Sequence, residues 1–331
     1  MFRLEFLALF ESGEPKVERF FFVPIITGIV LGVLFPFQSI SLVRYSSLLL
    51  FLLMYFNGLS VTYPKDKSLA FANFVKSINS SLWTLFLLFV FFPVCNAAIA
   101  HLLLTDQDLI FGFIFSTLAP VAIVVPFFAQ VRGGDVDKSL SDVVLSTLLC
   151  PLILVGFAQL LSGNTAFAES RSSFSYLLAI TIIPILLSWG TQVFTRNLAT
   201  AIRRHLPWLN SICLALLLFI LCGSSLTKLS VVTVKPGELL KVVALFLWLD
   251  LGTYLVLRKL SQTFIAPEKA ESLALSLSLR NLAIPAGTLL FFHSRAALVP
   301  AIGLCIHAFF FQWLLWTKPS AQPTVSAKRN T

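Results

Sequence analysis

Arg280 is the residue in this sequence best placed to do chemistry. It lies in the middle of an apolar stretch, Ser276-Leu-Ser-Leu-Arg-Asn-Leu-Ala-Ile-Pro285. Placing an arginine at membrane depth costs at least about 2.5–3.5 kcal/mol, so it needs a partner or a watery cavity. Three roles follow: an anion site, a permanent substitute for a bound cation, or one half of a structural ion pair. Two carboxylates could answer it. Asp142 stands one turn inside an apolar run, and Asp250 stands midway along another, Leu247-Trp-Leu-Asp-Leu-Gly252. A carboxylate facing a low-dielectric cavity can exchange a proton, and one beside Arg280 becomes its structural partner. Ser276, Ser278 and Asn281 flank the arginine. In an unwound segment they can hydrogen-bond a substrate. In an intact helix they bond back to the i−4 carbonyl or hold a neighbouring helix.

Pro285 closes that stretch, and Pro126 closes a second one, Ser116-Thr-Leu-Ala-Pro-Val-Ala-Ile-Val-Val-Pro126. Each proline removes a backbone donor and frees a carbonyl. Two apolar segments interrupted at matching positions in the two halves of a chain point to a transporter binding site. A second pair of prolines supports the match. Pro24, in Phe22-Val-Pro-Ile-Ile-Thr-Gly28, and Pro184, in Ile183-Pro-Ile-Leu-Leu-Ser-Trp-Gly190, have the same separation as Pro126 and Pro285 to within one residue.

The elements that must carry these residues are membrane helices. The chain of 331 residues is 57% hydrophobic and 12% charged, against about 25% charged in a soluble domain. A span needs roughly 20 apolar residues. Ten segments qualify: 20–41, 45–62, 81–104, 108–131, 139–162, 173–194, 208–227, 237–258, 271–294 and 296–317. Helix is the expected state, because a spanning segment must satisfy its own backbone. The amphipathic, basic stretch Tyr63 to Ser80 is expected at the interface, and the tail 318–331 is expected to be disordered and cytoplasmic. The acidic N-terminus, Met1 to Arg19, shows no cleavable signal.

Lysine and arginine set the orientation. With the N-terminus inside, seventeen fall on the cytoplasmic side and six on the other, which predicts an even span count with both termini cytoplasmic. The scattered basic residues do not describe a nucleic-acid surface. Two repeats are predicted, 1–162 and 163–317. With five spans each, the second must be inverted, the architecture of alternating-access carriers. The five cysteines fall in apolar segments and read as small buried residues, neither disulfides nor metal ligands. Asn57, Asn96, His101 and His307 read as helix–helix hydrogen-bonding groups. No hydrolase, metalloprotease or phosphate-loop pattern is present, and no cofactor is expected.

Several of these segments resemble the bile acid:sodium symporter family and its wider relatives, the arsenite and auxin-type efflux carriers. The stretch Gly112 to Leu154 carries the best likeness, through Ala119-Pro120, Gly134-Asp-Val-Asp-Lys-Ser139 and Ser146-Thr-Leu-Leu-Cys-Pro151. Met54-Tyr-Phe-Asn-Gly58-Leu is similar to the family's second helix, and Glu271 to Ala286 to its ninth. The resemblance implies an all-α integral membrane protein in which broken helices 4 and 9 cross within a core domain, packed against a panel domain. Many members bind two sodium ions beside that crossing. Here the family's Ser-Asn pair corresponds to Val125-Pro126. Of its later hydroxyl ligands, Ser139 is retained and Val143 is not. The ninth-helix carboxylate falls at Ser276, and a glutamine is replaced by Arg280. Most oxygen ligands for sodium are therefore gone, and Arg280 would repel the ion.

The expectation is a secondary carrier for a small organic anion in a bacterial inner membrane. It would not be sodium-coupled, and Asp142 or Asp250 would carry any proton coupling. An auxin- or arsenite-type efflux carrier is the rival within transport, with Cys150 the cysteine nearest the core. An intramembrane enzyme is the rival outside it, and no nucleophile or acid/base set supports one.

Overall fold

A computed structural model of the chain describes residues 16–60, 80–166, 170–203, 205–229, 235–293 and 295–317. The expected interfacial stretch, Ser80 apart, and the tail from 318 lie outside them. The described residues are helical, with one isolated β-bridge and no strand. In chain order the helices are α1 (Lys16–Leu34), α2 (Pro36–Leu42), α3 (Ser46–Ser60), α4 (Ser80–Leu103), α5 (Gln107–Thr117), α6 (Val125–Arg132) and α7 (Val136–Ala166). The second half supplies α8 (Ser170–Phe194), α9 (Arg196–Arg203), α10 (Leu206–Leu229), α11 (Pro236–Ser261), α12 (Pro267–Ser278), α13 (Ala283–Phe292) and α14 (Leu298–Trp316).

Among the described residues, Pro36–Leu59, Ser80–Leu103, Pro236–Ser261 and Leu298–Trp316 are each long and apolar enough to cross a membrane. A bent pair, Asn197–Arg203 with Trp208–Ser224, adds a fifth candidate. Helix covers the other apolar segments too, but 108–131 and 271–294 are each two short helices around an irregular gap. The protein is thus an all-helical integral membrane protein. Large exposed side chains such as Phe37, Leu102, Phe194 and Leu240 fit a surface facing lipid.

Two groups of helices pack together. In one, α10 lies along α1, α2 and α3, and α8 packs on α3. In the other, α4 to α7 and α11 to α14 surround the two gaps. The groups meet where α7 touches α8, where α14 touches α1 and α10, and where α13 touches α3 and α10. Glycine lets α1 approach α10 closely. A Cβ added at Gly32 would lie 2.8 Å from the carbonyl oxygen of Phe219 and 2.9 Å from Cys222 Cβ, and one at Gly28 would run into the Ala215 carbonyl. Gly32→Val is therefore expected to lose about 1–3 kcal/mol through overpacking, read as a lower melting temperature of the detergent-solubilised protein. A melting point equal to wild type would show that these helices can part at no cost.

The turn between α6 and α7 is built by its residue types. Gly133, at φ 74°, ends α6 in the left-handed conformation that glycine alone adopts freely. Asp135 follows and caps α7, its Oδ1 accepting the Lys138 amide at 3.0 Å. The same turn joins α12, because the Asp135 amide donates to the Glu268 carbonyl at 3.0 Å and Ser272 Oγ donates to the Asp135 carbonyl at 2.8 Å.

Candidate functional site at the crossing of the two gaps

The gap between α5 and α6 meets the gap between α12 and α13 in a short antiparallel bridge, Val121 to Arg280. The Ala122 amide donates to the Leu279 carbonyl at 2.9 Å, and the Asn281 amide donates to the Pro120 carbonyl at 2.7 Å. Two amides remain, and each finds a side chain. Val121 donates to Ser146 Oγ on α7 at 3.0 Å, and Arg280 donates to His307 Nε2 on α14 at 3.1 Å. An unsatisfied amide in the membrane costs several kcal/mol, which is why irregular backbone survives here only as a paired crossing.

The prolines act differently from the sequence-based expectation. Pro126 and Pro285 both lie in the first turn of a second half-helix, where no intrahelical N–H is needed. The gaps lie upstream of them, at 118–124 and 279–282. Proline here starts a helix rather than interrupting one.

Arg280 is 1% exposed. Its Nη1 donates to the carbonyl of Thr117, the last residue of α5, and more distantly to Leu88 O at 3.4 Å. The carbonyl end of a helix is electronegative, so a cation is stabilised there. Leu88 belongs to a π-helical turn, Leu87–Phe91, inside α4. Among the described residues Arg280 has no ion-pair partner within 4.0 Å, although Asp250 acts on it through space. Its Nε and Nη2 have no hydrogen-bond partner. Those two nitrogens share one edge of the guanidinium, the edge that takes a carboxylate through two parallel bonds.

Asp250 sits in a second π-helical turn, Trp248–Gly252, inside α11. Such turns recur at functional sites because they release backbone groups and re-aim side chains. The Asp250 Oδ2 lies 2.8 Å from His307 Nδ1, close but off hydrogen-bond alignment. Since His307 Nε2 accepts from the Arg280 amide, its ring proton sits on Nδ1, toward Asp250. Both Asp250 and His307 are buried.

Asp142 is fully buried on α7. Its Oδ2 accepts from Lys138 Nζ at 2.6 Å and from Ser276 Oγ at 2.8 Å, while its Oδ1 has no partner. Lys138 Nζ also donates to Thr84 Oγ1 at 2.7 Å. Asp142 therefore answers a lysine one turn away, and neither it nor Asp250 forms an ion pair with Arg280. Ser276 is committed to Asp142. Ser278 and Ser139 bond back to carbonyls of their own chain segments, at 3.3 Å and 2.9 Å. Val125 is buried at the start of α6, its amide donating to Ala122 O at 3.0 Å. Asn281 enters the crossing through its backbone.

Lys138 reads in the sequence only as a topology charge, and His307 reads as a helix–helix hydrogen-bonding group, which it is, with Arg280 its partner. The i,i+4 spacing of Lys138 and Asp142 was the available signal for the first. Nothing local marks Thr84 or assigns His307 and Ser146 to the amides they cap.

The ends of the half-helices are clamped by ionic groups. At the end of α6, Arg132 Nε pairs with Glu271 Oε1 on α12 at 3.0 Å, and Arg258 Nε on α11 faces Glu271 Oε2 at 2.7 Å. Tyr254 OH donates to the same Oε1 at 2.5 Å, and Arg132 Nη1 reaches Thr317 O at 2.9 Å beyond α14. At the start of α5, Arg295 pairs with Asp106 at 2.5 Å and Asp108 at 2.7 Å.

Compared with known families, the chain matches the Sodium Bile acid symporter family over residues 47–233. That match includes the first gap, Lys138 and Asp142, and ends before the second gap and Arg280. A search of curated proteins returns no match to this chain.

Proposed function

The chain belongs to the sodium bile acid symporter family, and from that membership we propose a secondary carrier that moves a small organic anion by alternating access without sodium coupling. The observation that carries the anion is the free edge of Arg280: two donors of a buried cation with no partner among the described residues, beside two crossed chain breaks. A substrate carboxylate satisfies both donors at once and balances the charge. Helix N-termini of α6 and α13 start at the same crossing and favour a negative group.

The architecture of this carrier is ten spans in two inverted repeats, 1–162 and 163–317, with both termini cytoplasmic in a bacterial inner membrane. Three correspondences support the repeats. Each half has a gap, a π-helical turn in the preceding long helix, and a side chain from the following helix that caps a gap amide. The α1–α10 and α3–α8 contacts pair the first helix of one half with the second of the other. Substrate reaches Arg280 only through a change of conformation, since the residue is sealed in this one. Lys138 neutralises Asp142, so Asp250 with His307 is the pair left to couple protons. Cys150 is fully buried, which disfavours it as an arsenite ligand.

The test is thermal unfolding of the detergent-solubilised protein against a panel of small carboxylates, with sodium or choline as counterion. A carboxylate should stabilise wild type equally in both salts and leave Arg280→Gln unshifted. An equal shift in both proteins would remove Arg280 from the site. Transport in liposomes that required a sodium gradient would overturn the coupling.

A further inference from the structure

Carriers with discontinuous helices hold coupling cations at the carbonyl ends of the half-helices, where unpaired oxygens converge. In this protein one such end, and a buried carboxylate beside the last turn of the other half-helix, already have a cation that cannot leave. Arg280 Nη1 sits on the last carbonyl of α5. Lys138 Nζ sits on Asp142, which also holds Ser276 in the last turn of α12.

We propose that Lys138 is a resident cation: its ammonium fills a buried monovalent-cation site made by Asp142 and Thr84, so that no exchangeable cation is needed there. The meaning of the proposal, transport that needs no alkali cation, rests on the carrier reading. Its test does not.

The geometry asks for more than a plain ion pair. Lys138 is 4% exposed and Asp142 is 0% exposed. The ammonium has three donors and uses two, on Asp142 Oδ2 and Thr84 Oγ1. Asp142 Oδ1 is left without a partner. Taking the lysine away would leave the Asp142 carboxylate and the Thr84 hydroxyl at the vacated space, with Ser276 Oγ still donating to Asp142 Oδ2. Hard oxygens suit an alkali cation, and the single negative charge balances one positive charge. A buried carboxylate stripped of its partner is strongly unfavourable, so a small cation that enters is bound. The lysine is attached to the same helix as the aspartate, one turn away, so it stays with the carboxylate when helices move.

Lys138→Ala tests this by thermal unfolding of the purified full-length protein in lithium, sodium, potassium or choline chloride at one ionic strength. Wild type should melt at one temperature in all four. Lys138→Ala should melt lower in choline and recover by roughly 5 °C, saturably, with a small alkali cation well above its dissociation constant. The double variant Lys138→Ala/Asp142→Asn should show no such recovery. A folded Lys138→Ala that ignores the cation, the same response in the double variant, or a wild type that already responds would each overturn the proposal. If Lys138→Ala folds only with an alkali cation present, the proposal stands. Should it fold in none of the salts, Lys138→Ser, which keeps an oxygen at the site, is read the same way, and its failure in all four also overturns the proposal. The carboxylate test at Arg280 is unaffected by any of these results.

Discussion

Glu271→Ala should be the most damaging single substitution in the chain, lowering stability by about 3–5 kcal/mol. The carboxylate holds Arg132 at 3.0 Å, Arg258 at 2.7 Å and the Tyr254 hydroxyl at 2.5 Å. Removing it leaves Arg132, whose side chain is 1% exposed, as an unpaired buried charge beside another arginine. Four elements lose their junction together: the end of α6, α12, α11 and the end of α14. The same contacts predict a partial rescue. Arg132→Met in the Glu271→Ala background removes the orphaned charge and should recover a substantial part of the loss, as double-mutant coupling requires. Chemical denaturation or thermal unfolding in detergent measures both. A single-variant loss under about 1 kcal/mol would mean that the cluster is solvated and holds nothing together.

His307→Leu should follow closely, because one ring serves two buried groups. Its Nε2 takes the amide of Arg280, and its Nδ1 faces Asp250. Leucine leaves the amide unsatisfied, at about 1–3 kcal/mol, and leaves Asp250 without its closest polar neighbour. The crossing would lose one of its two side-chain caps, so carboxylate binding at Arg280 should weaken along with stability. Asp250→Asn in the same background should restore stability more than binding, since it removes the stranded charge but not the orphaned amide. If His307→Leu keeps both the melting temperature and the carboxylate shift, the histidine is merely filling space and the Asp250–His307 pair has no coupling role.

Much of the fold was legible because apolar length is a local property. Every expected span contains helix, and the two expected to be interrupted are the two with gaps. The site was legible only in outline. Arg280 stood out because a lone arginine at membrane depth is costly whatever surrounds it. Its partners did not, since Thr117 lies 163 residues away and Leu88 lies 192 away along the chain. Asp142 reads as one turn inside an apolar run and is buried there, yet its ion-pair partner reads only as one of the cytoplasmic-side charges. Lys138 follows a turn, Gly133-Gly-Asp135, and it is buried where α4 supplies Thr84 to its ammonium and α12 packs on that turn.

What the sequence determined by itself is the membrane class, the paired interruptions and the presence of one unavoidable charge, because hydropathy and proline act on the residues beside them. What the tertiary structure alone decided is how each charge is answered. Arg280 is set on a helix end with one edge free, Lys138 is locked to Asp142, and His307 is lent to a backbone amide. Those choices depend on which helices cross, and crossing partners are brought together by the burial of residues distributed over the whole chain, a sum that no local segment contains.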